Sequence, residues 1–254
     1  MKIFHSSNLY DKKVFFLGGL GNQLWICAYA YIISEKFKII KLDNSWYENE
    51  AKIFFNPKRV QRISYLKILK KISKDFVIYS SPLSLIKFQL KNKFNFLYRK
   101  TLNKKEDFFE IYYQDPKYIS ENFINRLVDI LIEVYFKNKN KKDFNENFIE
   151  YYALHIRLGD RGELDFFEIN YLKSILNKID KKISIRIFSD DYEEAYKILK
   201  KYKFHNFINS NSKSELDDFI EMSFSKEIFF LRESTFSFWA KKISSRIRLK
   251  VLNF

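Results

Sequence analysis

Apolar and polar positions alternate most regularly in the second half of the chain. Short apolar runs are separated there by segments in which apolar residues recur every three or four positions, as in amphipathic helices. This pattern predicts strands at 151–157, 183–189, 206–208, 227–231 and 249–252, and helices at 168–179, 192–202, 215–224 and 235–243. Strands that alternate with helices of this length form a parallel sheet covered on both faces. Ligands of such sheets bind outside the carboxyl ends of the strands.

The first half of the chain is less regular. Its pattern predicts strands at 13–17, 38–42 and 76–79, and helices at 22–36, 60–72 and 118–136. The topology of residues 43–117 does not follow from the pattern. Residues 138–147 are rich in Lys, Asn and Asp and lack periodicity, which makes them the predicted linker. The sequence therefore predicts two α/β domains, at 1–145 and 146–254.

The amino-acid composition limits the compartments in which we expect this protein. Of the 254 residues 46% are hydrophobic, which is enough for packed cores. The single cysteine, Cys27, excludes an intramolecular disulfide, and with three histidines it forms no cluster of metal-ligand spacing. No apolar run is long enough for the core of a signal peptide or for a membrane helix. We therefore expect a cytoplasmic protein.

The formal net charge of +15 is compatible with a nucleic acid, an anionic membrane surface or an acidic small molecule as partner. A biased genome would produce the same excess, because Lys, Ile, Asn, Phe and Tyr are all abundant here while Gly and Pro are scarce. Basic residues are spread through amphipathic segments and do not form one arm, so no nucleic-acid tail is visible. Peripheral contact with the inner membrane face stays open.

The five glycines fall into two clusters, each at the end of a predicted strand. The first cluster lies in the segment Gly18-Gly19-Leu20-Gly21-Asn22-Gln23, which opens a predicted helix and could present backbone amides to an anion. It lacks the third glycine of a dinucleotide fingerprint and the lysine of a phosphate-binding loop. The alternative interpretation is a tight turn between strand and helix.

The second cluster lies in the segment His155-Ile156-Arg157-Leu158-Gly159-Asp160, at the carboxyl end of the strand at 151–157. Strand alternation places His155 and Arg157 on one face, so both side chains can engage one ligand. Arginine suits bidentate contact with phosphate, and its charge does not titrate away. The alternative is that Arg157 pairs with Asp160 across the turn.

The next strand ends in Phe188-Ser189-Asp190-Asp191. Adjacent aspartates favour either a divalent-metal site or a carboxylate that accepts hydrogen bonds from a nucleobase. One aspartate can instead cap the helix that follows, and Asp191 is the better placed because the helical pattern begins at Tyr192.

A fourth segment, Glu233-Ser234-Thr235-Phe236-Ser237-Phe238-Trp239-Ala240, passes from strand to helix. The hydroxyls of Ser234 and Thr235, together with the first amides of the helix, predict an anion site on the same sheet edge as Arg157. A plain N-cap is the alternative for Ser234, and Phe238 and Trp239 are interpreted as core residues.

Four motifs, in their order along the chain, strongly resemble those of the bacterial α-1,2-fucosyltransferases, the family 11 glycosyltransferases. They are GGLGNQ at 18–23, HIRLGD at 155–160, FSDD at 188–191 and STFSFWA at 234–240. The segment from Asp217 to Ser223 also looks like that family's D-D-L-x-L-M-S motif. Two departures stand out, because Leu158 replaces a second arginine of the family and Glu233 replaces an asparagine.

The resemblance implies a GT-B-like fold, with two Rossmann-like domains facing each other across a cleft and GDP-fucose held mainly by the second. By this similarity, His155 and Asp190 meet the guanosine, Arg157 meets the β-phosphate, and Ser234, Thr235 and Phe236 surround the diphosphate. Gly21 and Asn22 reach the donor or acceptor from the first domain. No cofactor or metal is expected, and the partners are GDP-fucose and a glycan acceptor.

The implied reaction is an inverting transfer of fucose to a glycan hydroxyl, in α-1,2 linkage to galactose of a surface polysaccharide or lipopolysaccharide. Arg157 would stabilise the departing GDP, and Asp160 is the first candidate for the general base, followed by Glu163 and Asp165. Asp160 orienting Arg157 is an equal alternative. Competing functions are transfer in another linkage or of another GDP-sugar, and a non-catalytic protein that binds nucleic acid or lipopolysaccharide.

Overall fold

A computed structural model describes residues 11–48, 63–83, 86–87, 113–138, 151–159, 162–180, 182–202, 207–210 and 214–252, and the structural statements below concern these. The chain forms two compact units, Met1–Ile130 and Leu131–Phe254. The predicted domain boundary at 145/146 lies outside the described residues.

The first unit contains a parallel sheet whose strands lie close to the predicted strand positions. Its described strands are β1 (Lys12–Phe15), β2 (Ile40–Asp43) and β3 (Phe76–Tyr79), in the order β1-β2-β3. Its helices are α1 (Leu20–Ile33), α2 (Ser45–Glu48), α3 (Leu66–Leu69) and the first part of α4 (Glu121–Asn138). The helix predicted over 60–72 is only partly observed: α3 passes into a 3₁₀ turn at Lys70–Ile72, and 60–62 lie outside the described residues.

Helix α1 is the central core element of the first unit. Leu24, Ile26, Cys27 and Ala28 are all fully buried, and apolar residues surround most of the helix. A helix that is apolar on nearly every side is stable only when it is packed all round. The strand-to-helix turn at Gly18 and Gly19 therefore leads directly into the core of the first unit.

The second unit contains a parallel sheet whose described strands are β4 (Tyr151–Ile156), β5 (Ser184–Ser189), β6 (Phe207–Asn209) and β7 (Glu227–Phe230), in the order β6-β5-β4-β7. The connecting helices are α5 (Phe166–Lys178), α6 (Tyr192–Lys201), α7 (Glu215–Phe224) and α8 (Thr235–Leu252). The strand order proceeds outward from β4 to β6 and then returns to the other side of β4. The switch point between β4 and β7 is where open parallel sheets bind ligands.

Strand β4 is buried on both faces. Leu154 and Ile156 pack on one face with residues of α5 and α6. On the other face, the hydroxyl of Tyr151 donates a hydrogen bond of 2.5 Å to the carbonyl of Glu221 in α7, and His155 lies beside Phe236 of α8. The alternation predicted from the sequence therefore divides β4 between two helical layers.

The predicted strand at 249–252 is wrong, because α8 continues through these residues to Leu252. Trp239, Ile243 and Ile247 are fully buried at helical spacing, and no glycine or proline follows that would end the helix. The Arg248 side chain also donates to the carbonyls of Ser225 and Lys226, which holds the later turns against the unit.

Within the described ranges, no helix is both long enough and apolar enough to cross a lipid bilayer.

Candidate functional site

The carboxyl ends of β4, β5 and β7 bring the chemistry-bearing segments of the second unit to one sheet edge. Arg157 follows β4, Asp190 follows β5, and Ser234 follows β7 at the start of α8. Because the three strands are parallel neighbours, their ends lie side by side. The structure therefore assembles three separate sequence motifs at the switch point.

His155 lies within this edge as a buried imidazole. Its ring centroid is 5.6 Å from that of Phe236, and its Nδ1 is buried without a hydrogen-bond partner among the described residues. Burial lowers the pKa of His155 to about 4; the Asp190 carboxylate opposes this shift, and the Arg157 guanidinium adds to it. The imidazole is therefore neutral at pH 7, and it lies in electrostatic range of both charged residues.

Asp190 holds the loop that follows β4. Its Oδ1 accepts a 2.8 Å hydrogen bond from the amide of Leu158, and its carboxylate lies against Gly159. Asp190 is otherwise exposed. The observed role of Asp190 is thus to bind the backbone after β4. Its predicted role in contacting a nucleobase stays a prediction.

Leu158 occupies the place where the family that the motifs resemble has a second arginine. Its side chain is buried, and it packs in the cluster formed by β4, α5 and α6. A cation at this position would lie in an apolar core, so in this chain position 158 serves packing.

Asp191 caps helix α6, as the sequence predicts. Its side chain accepts a 3.1 Å hydrogen bond from the amide of Glu194. In the part of the chain that the structure describes, no three His, Cys, Asp or Glu side chains form a group that could hold a metal ion.

The start of α8 is a capped helix N-terminus. Ser234 and Ser237 cap it reciprocally: each backbone amide donates to the other's hydroxyl, at 3.1 and 3.2 Å, and the two hydroxyls are 2.9 Å apart. The Ser234 hydroxyl is thus engaged in capping, which was the alternative interpretation. Half-buried Thr235 and Phe236 form the first turn, where backbone amides lack carbonyl partners within the helix and the helix dipole favours an anion.

The candidate general bases differ in their surroundings. Asp160 lies outside the described residues. Asp165 is the N-cap of α5 and accepts a 2.9 Å hydrogen bond from the amide of Glu168, whereas Glu163 is exposed. Among the described candidates, Glu163 is therefore the carboxylate that is not engaged in capping.

Two of the three acidic residues in the Asp217–Ser223 segment, Asp217 and Asp218, serve local structure. Asp217 accepts a hydrogen bond from the hydroxyl of the helix cap Ser214 at 2.9 Å. Asp218 accepts hydrogen bonds from the hydroxyls of Ser210 and Tyr192, at 2.5 and 3.3 Å. These bonds connect α7 with the residues that follow β5 and β6.

In the first unit, the glycine segment forms the turn between β1 and α1. Gly18 has a φ of +83°, and a Cβ at this position would lie 2.7 Å from Nδ2 of Asn22. Both the backbone conformation and the lack of space therefore favour glycine here. Gly21 is buried in the first turn of α1, and half-buried Asn22 accepts a 3.1 Å hydrogen bond from Gln114. Their predicted roles toward a ligand stay predictions.

Gln23 is a structural hub that the sequence did not reveal. Its fully buried amide donates to the carbonyls of Gly18 and Ile63, at 3.2 and 2.8 Å, and accepts from the amide of Tyr65 at 2.8 Å. The Tyr47 hydroxyl also donates to the Gly18 carbonyl. No local signal predicts these contacts, because the partners are up to 42 positions away.

No protein-family model matches the sequence, and no curated protein matches it. The solved structures that align with the chain over most of its length include two of NodZ alpha-1,6-fucosyltransferase. The structure co-crystallised with GDP has 11% sequence identity and a TM-score of 0.49, with 91% of each chain covered. The structure soaked with GDP-fucose has the same identity and TM-score, with 92% of each chain covered. A likeness this slight carries no argument about function.

Proposed function

We propose that this chain is a glycosyltransferase that transfers fucose from GDP-fucose to a glycan hydroxyl. The observation that carries the proposal is the convergence of His155, Arg157, Asp190 and the start of α8 at the switch point of the second sheet. This edge combines a cation, a helix N-terminus, a carboxylate and a neutral buried imidazole. A nucleoside diphosphate needs a cation and amides for its phosphates and polar groups for its base.

The phosphates are assigned to Arg157 and the first turn of α8. A guanidinium can contact two phosphate oxygens at once, and helix amides bind an anion without requiring a side chain. The capping pair Ser234 and Ser237 fixes the orientation of that turn. Thr235 and Phe236 therefore contribute backbone amides, and the half-buried Thr235 hydroxyl is available at the same turn.

The guanosine is assigned to His155 and Asp190. A buried polar atom without a partner is uncommon in proteins, and Nδ1 of His155 is such an atom among the described residues, so a hydrogen bond from a bound base would satisfy it. A neutral imidazole can either donate or accept a hydrogen bond there. The Asp190 carboxylate accepts from one backbone amide and keeps acceptor capacity for N–H groups of a base.

The reaction follows from where charge develops. Departure of GDP places negative charge on the β-phosphate, and Arg157 with the α8 amides stabilises that charge in the transition state. The acceptor hydroxyl attacks the opposite face of the sugar and inverts the anomeric carbon, and its proton passes to a carboxylate, for which we propose Asp160. The proposal requires no metal, because the cation and the amides supply the positive charge.

The motif resemblance extends the proposal to its finer parts. It favours α-1,2 linkage to galactose in a surface polysaccharide or lipopolysaccharide, a GT-B arrangement, and a contribution of Gly21 and Asn22 from the first unit. The net charge of +15 is compatible with work at an anionic membrane face.

A transfer assay tests the proposal directly. The protein is incubated with GDP-fucose and a panel of β-galactosides, and the product linkage is determined; an α-1,2-fucosylated galactoside is the expected product. A product in another linkage would overturn the α-1,2 assignment, and absence of transfer to every acceptor together with absence of GDP binding would overturn the function.

Thermal shift separates this function from that of a basic binding protein. GDP should raise the melting temperature, with UDP and ADP as matched nucleotide controls that give smaller shifts. Salt-sensitive stabilisation by an oligonucleotide, without an effect of GDP, would favour a nucleic-acid-binding protein instead.

A further inference from the structure

Arg232 lies between β7 and α8, and its side chain crosses to the loop that follows β4. Its Nε donates to Oε1 of Glu168, and its Nη2 donates to Oε2 of Glu168 at 2.8 Å and to the Glu163 carbonyl at 2.6 Å. Its Nη1 donates to the carbonyls of Arg157 and Gly162, at 3.3 and 3.2 Å. A guanidinium has five N–H donors, so every one of them is engaged.

Glu168 takes part in two structures at once. It is the third residue of α5, where its Oε2 accepts a 2.8 Å hydrogen bond from the amide of the N-cap Asp165, and it also forms the bidentate pair with Arg232. The side chains of Arg232 and Glu168 are only 13% and 14% exposed. An ion pair of this geometry and burial is held far more firmly than a surface pair.

The described residues on both sides of positions 160 and 161 are therefore contacted from two directions. The Asp190 carboxylate holds the Leu158 amide from the end of β5, and Arg232 holds the Arg157 carbonyl from the end of β7. The amide of Gly162 also donates to the Leu158 carbonyl at 2.8 Å. The backbone that carries Arg157 is thus fixed by side chains from both neighbouring strand ends.

We propose that Arg232 is a positioning residue for Arg157. This inference rests on the proposed function, in which Arg157 contacts the β-phosphate. Arg232 itself is not the phosphate ligand, because its donors are used within the protein and its charge is balanced by Glu168. It acts by holding the backbone of Arg157 where the guanidinium meets charge that develops on the leaving group. A displacement of such a group by about 1 Å can cost about 100-fold in rate.

Two substitutions test this clamp, which is the set of hydrogen bonds from Arg232 to Glu168 and to the carbonyls of Arg157, Gly162 and Glu163, with little change in side-chain volume. Arg232→Lys keeps the positive charge but offers three donors from one point, so it cannot reproduce the planar set of contacts. Glu168→Gln removes the negative charge yet keeps an acceptor for the α5 capping box, in which Gln is also found. Arg248→Lys is the matched control, because Arg248 also donates to backbone carbonyls, those of Ser225 and Lys226, but before the amino end of β7.

Hydrogen exchange, GDP affinity and kcat are measured for each variant. We expect Arg232→Lys to increase amide exchange in peptides that span 157–168 and to lower kcat at least about tenfold, while the Kd for GDP changes by less than about threefold. Glu168→Gln should show the same effects to a lesser degree. Arg248→Lys should leave kcat and the exchange of these peptides unchanged.

A double variant distinguishes positioning from general stability. If Arg232 acts through Arg157, adding Arg232→Lys to Arg157→Lys should lower kcat by no more than about twofold further, although the two melting-temperature changes still add. Increased exchange with unchanged kcat would make the clamp purely structural and overturn the proposal, as would a fully multiplicative effect on kcat or unchanged exchange.

The proposed function is judged separately, by GDP binding of the wild-type protein. Failure of the wild type to bind GDP would overturn that function and, with it, the positioning role. An exchange increase in Arg232→Lys would then identify a structural clamp alone.

Discussion

The α-carbon of Gly159 lies against the carboxylate of Asp190, so closely that a Cβ at position 159 would be 2.6 Å from Oδ2. We expect Gly159→Ala to displace this carboxylate and to break its hydrogen bond to the Leu158 amide. The loss should lower the free energy of unfolding by about 1 kcal/mol, because the bond is charge-assisted but partly exposed. If Asp190 also meets the nucleobase, the Kd for GDP should rise about tenfold. Urea unfolding and calorimetric titration with GDP measure the two effects.

A double-mutant cycle with Asp190→Ala supplies the control for this prediction. Once the carboxylate is absent, Gly159→Ala has nothing to displace and should be nearly neutral for stability. Strictly additive effects of the two substitutions would contradict the proposed steric coupling.

Arg157→Lys should nearly abolish transfer while the fold stays intact. Lysine keeps one charge but lacks the planar fork that contacts two phosphate oxygens. Because the contact is made mainly in the transition state, kcat should fall about 100-fold or more, with a smaller effect on GDP affinity. Steady-state kinetics with a melting-temperature check measure this.

Lys200→Ala serves as the control for Arg157→Lys, because Lys200 is an exposed residue of α6 that belongs to none of the motifs. It should leave both kcat and melting temperature unchanged. Near-normal kcat for Arg157→Lys with a native melting temperature would show that Arg157 is structural and that the phosphate site lies elsewhere.

His155 should make stability depend on pH. Its pKa falls from 6.5 in the unfolded chain to about 4 in the folded protein, mainly because the ring is buried. Below pH 6.5 the unfolded state therefore binds a proton that the folded state does not. The contribution of His155 to the free energy of unfolding is fully present above pH 6.5. It is lost as the pH falls towards 4, by up to about 1.4 kcal/mol per pH unit.

The comparison with His155→Asn isolates this effect from the titration of carboxylates. The difference in unfolding free energy between wild type and variant, measured by urea unfolding at several pH values, should change between pH 6.5 and 4. Parallel curves over that interval would mean that His155 titrates normally.

Transfer should persist in excess EDTA. The prediction follows from the assignment of Asp191 to capping, and of Asp190 to the Leu158 amide and the nucleobase. The assay compares initial rates with and without the chelator. Activity that disappears with EDTA and returns with manganese would favour a metal held by this aspartate pair.

The sequence predicted the strands at 151–157, 183–189, 206–208 and 227–231 well because they are short apolar runs that alternate along the chain with amphipathic helices. It predicted the Asp191 cap for a local reason: the carboxylate and the amide that it accepts from are three positions apart. The prediction of a strand at 249–252 was wrong because four residues of mixed polarity fit a strand as well as a helical turn. Only the continuation of the buried stripe through Ile243 and Ile247 decides between them.

The clamp and the Gln23 hub could not be read from the sequence, because both depend on contacts between distant segments. Arg232 and Glu168 are 64 positions apart, and only half of their network had a local signal, the capping-box pattern of Asp165 and Glu168. For the hydroxyl of Ser234, a local contact replaces the role that the motif suggested. A motif resemblance assigned it to the diphosphate, whereas the reciprocal pairing with Ser237 engages it in the helix cap.

The burial of Cys27 makes the labelling rate of its thiol a measure of how often the first unit opens. This thiol is the only one in the chain, it is fully buried in α1, and burial raises its pKa far above the range in which a thiolate forms. A thiol reagent can therefore react only when α1 opens to solvent. The rate of labelling measures how often the first unit opens, and a ligand that touches that unit will slow it, with no engineered reporter required.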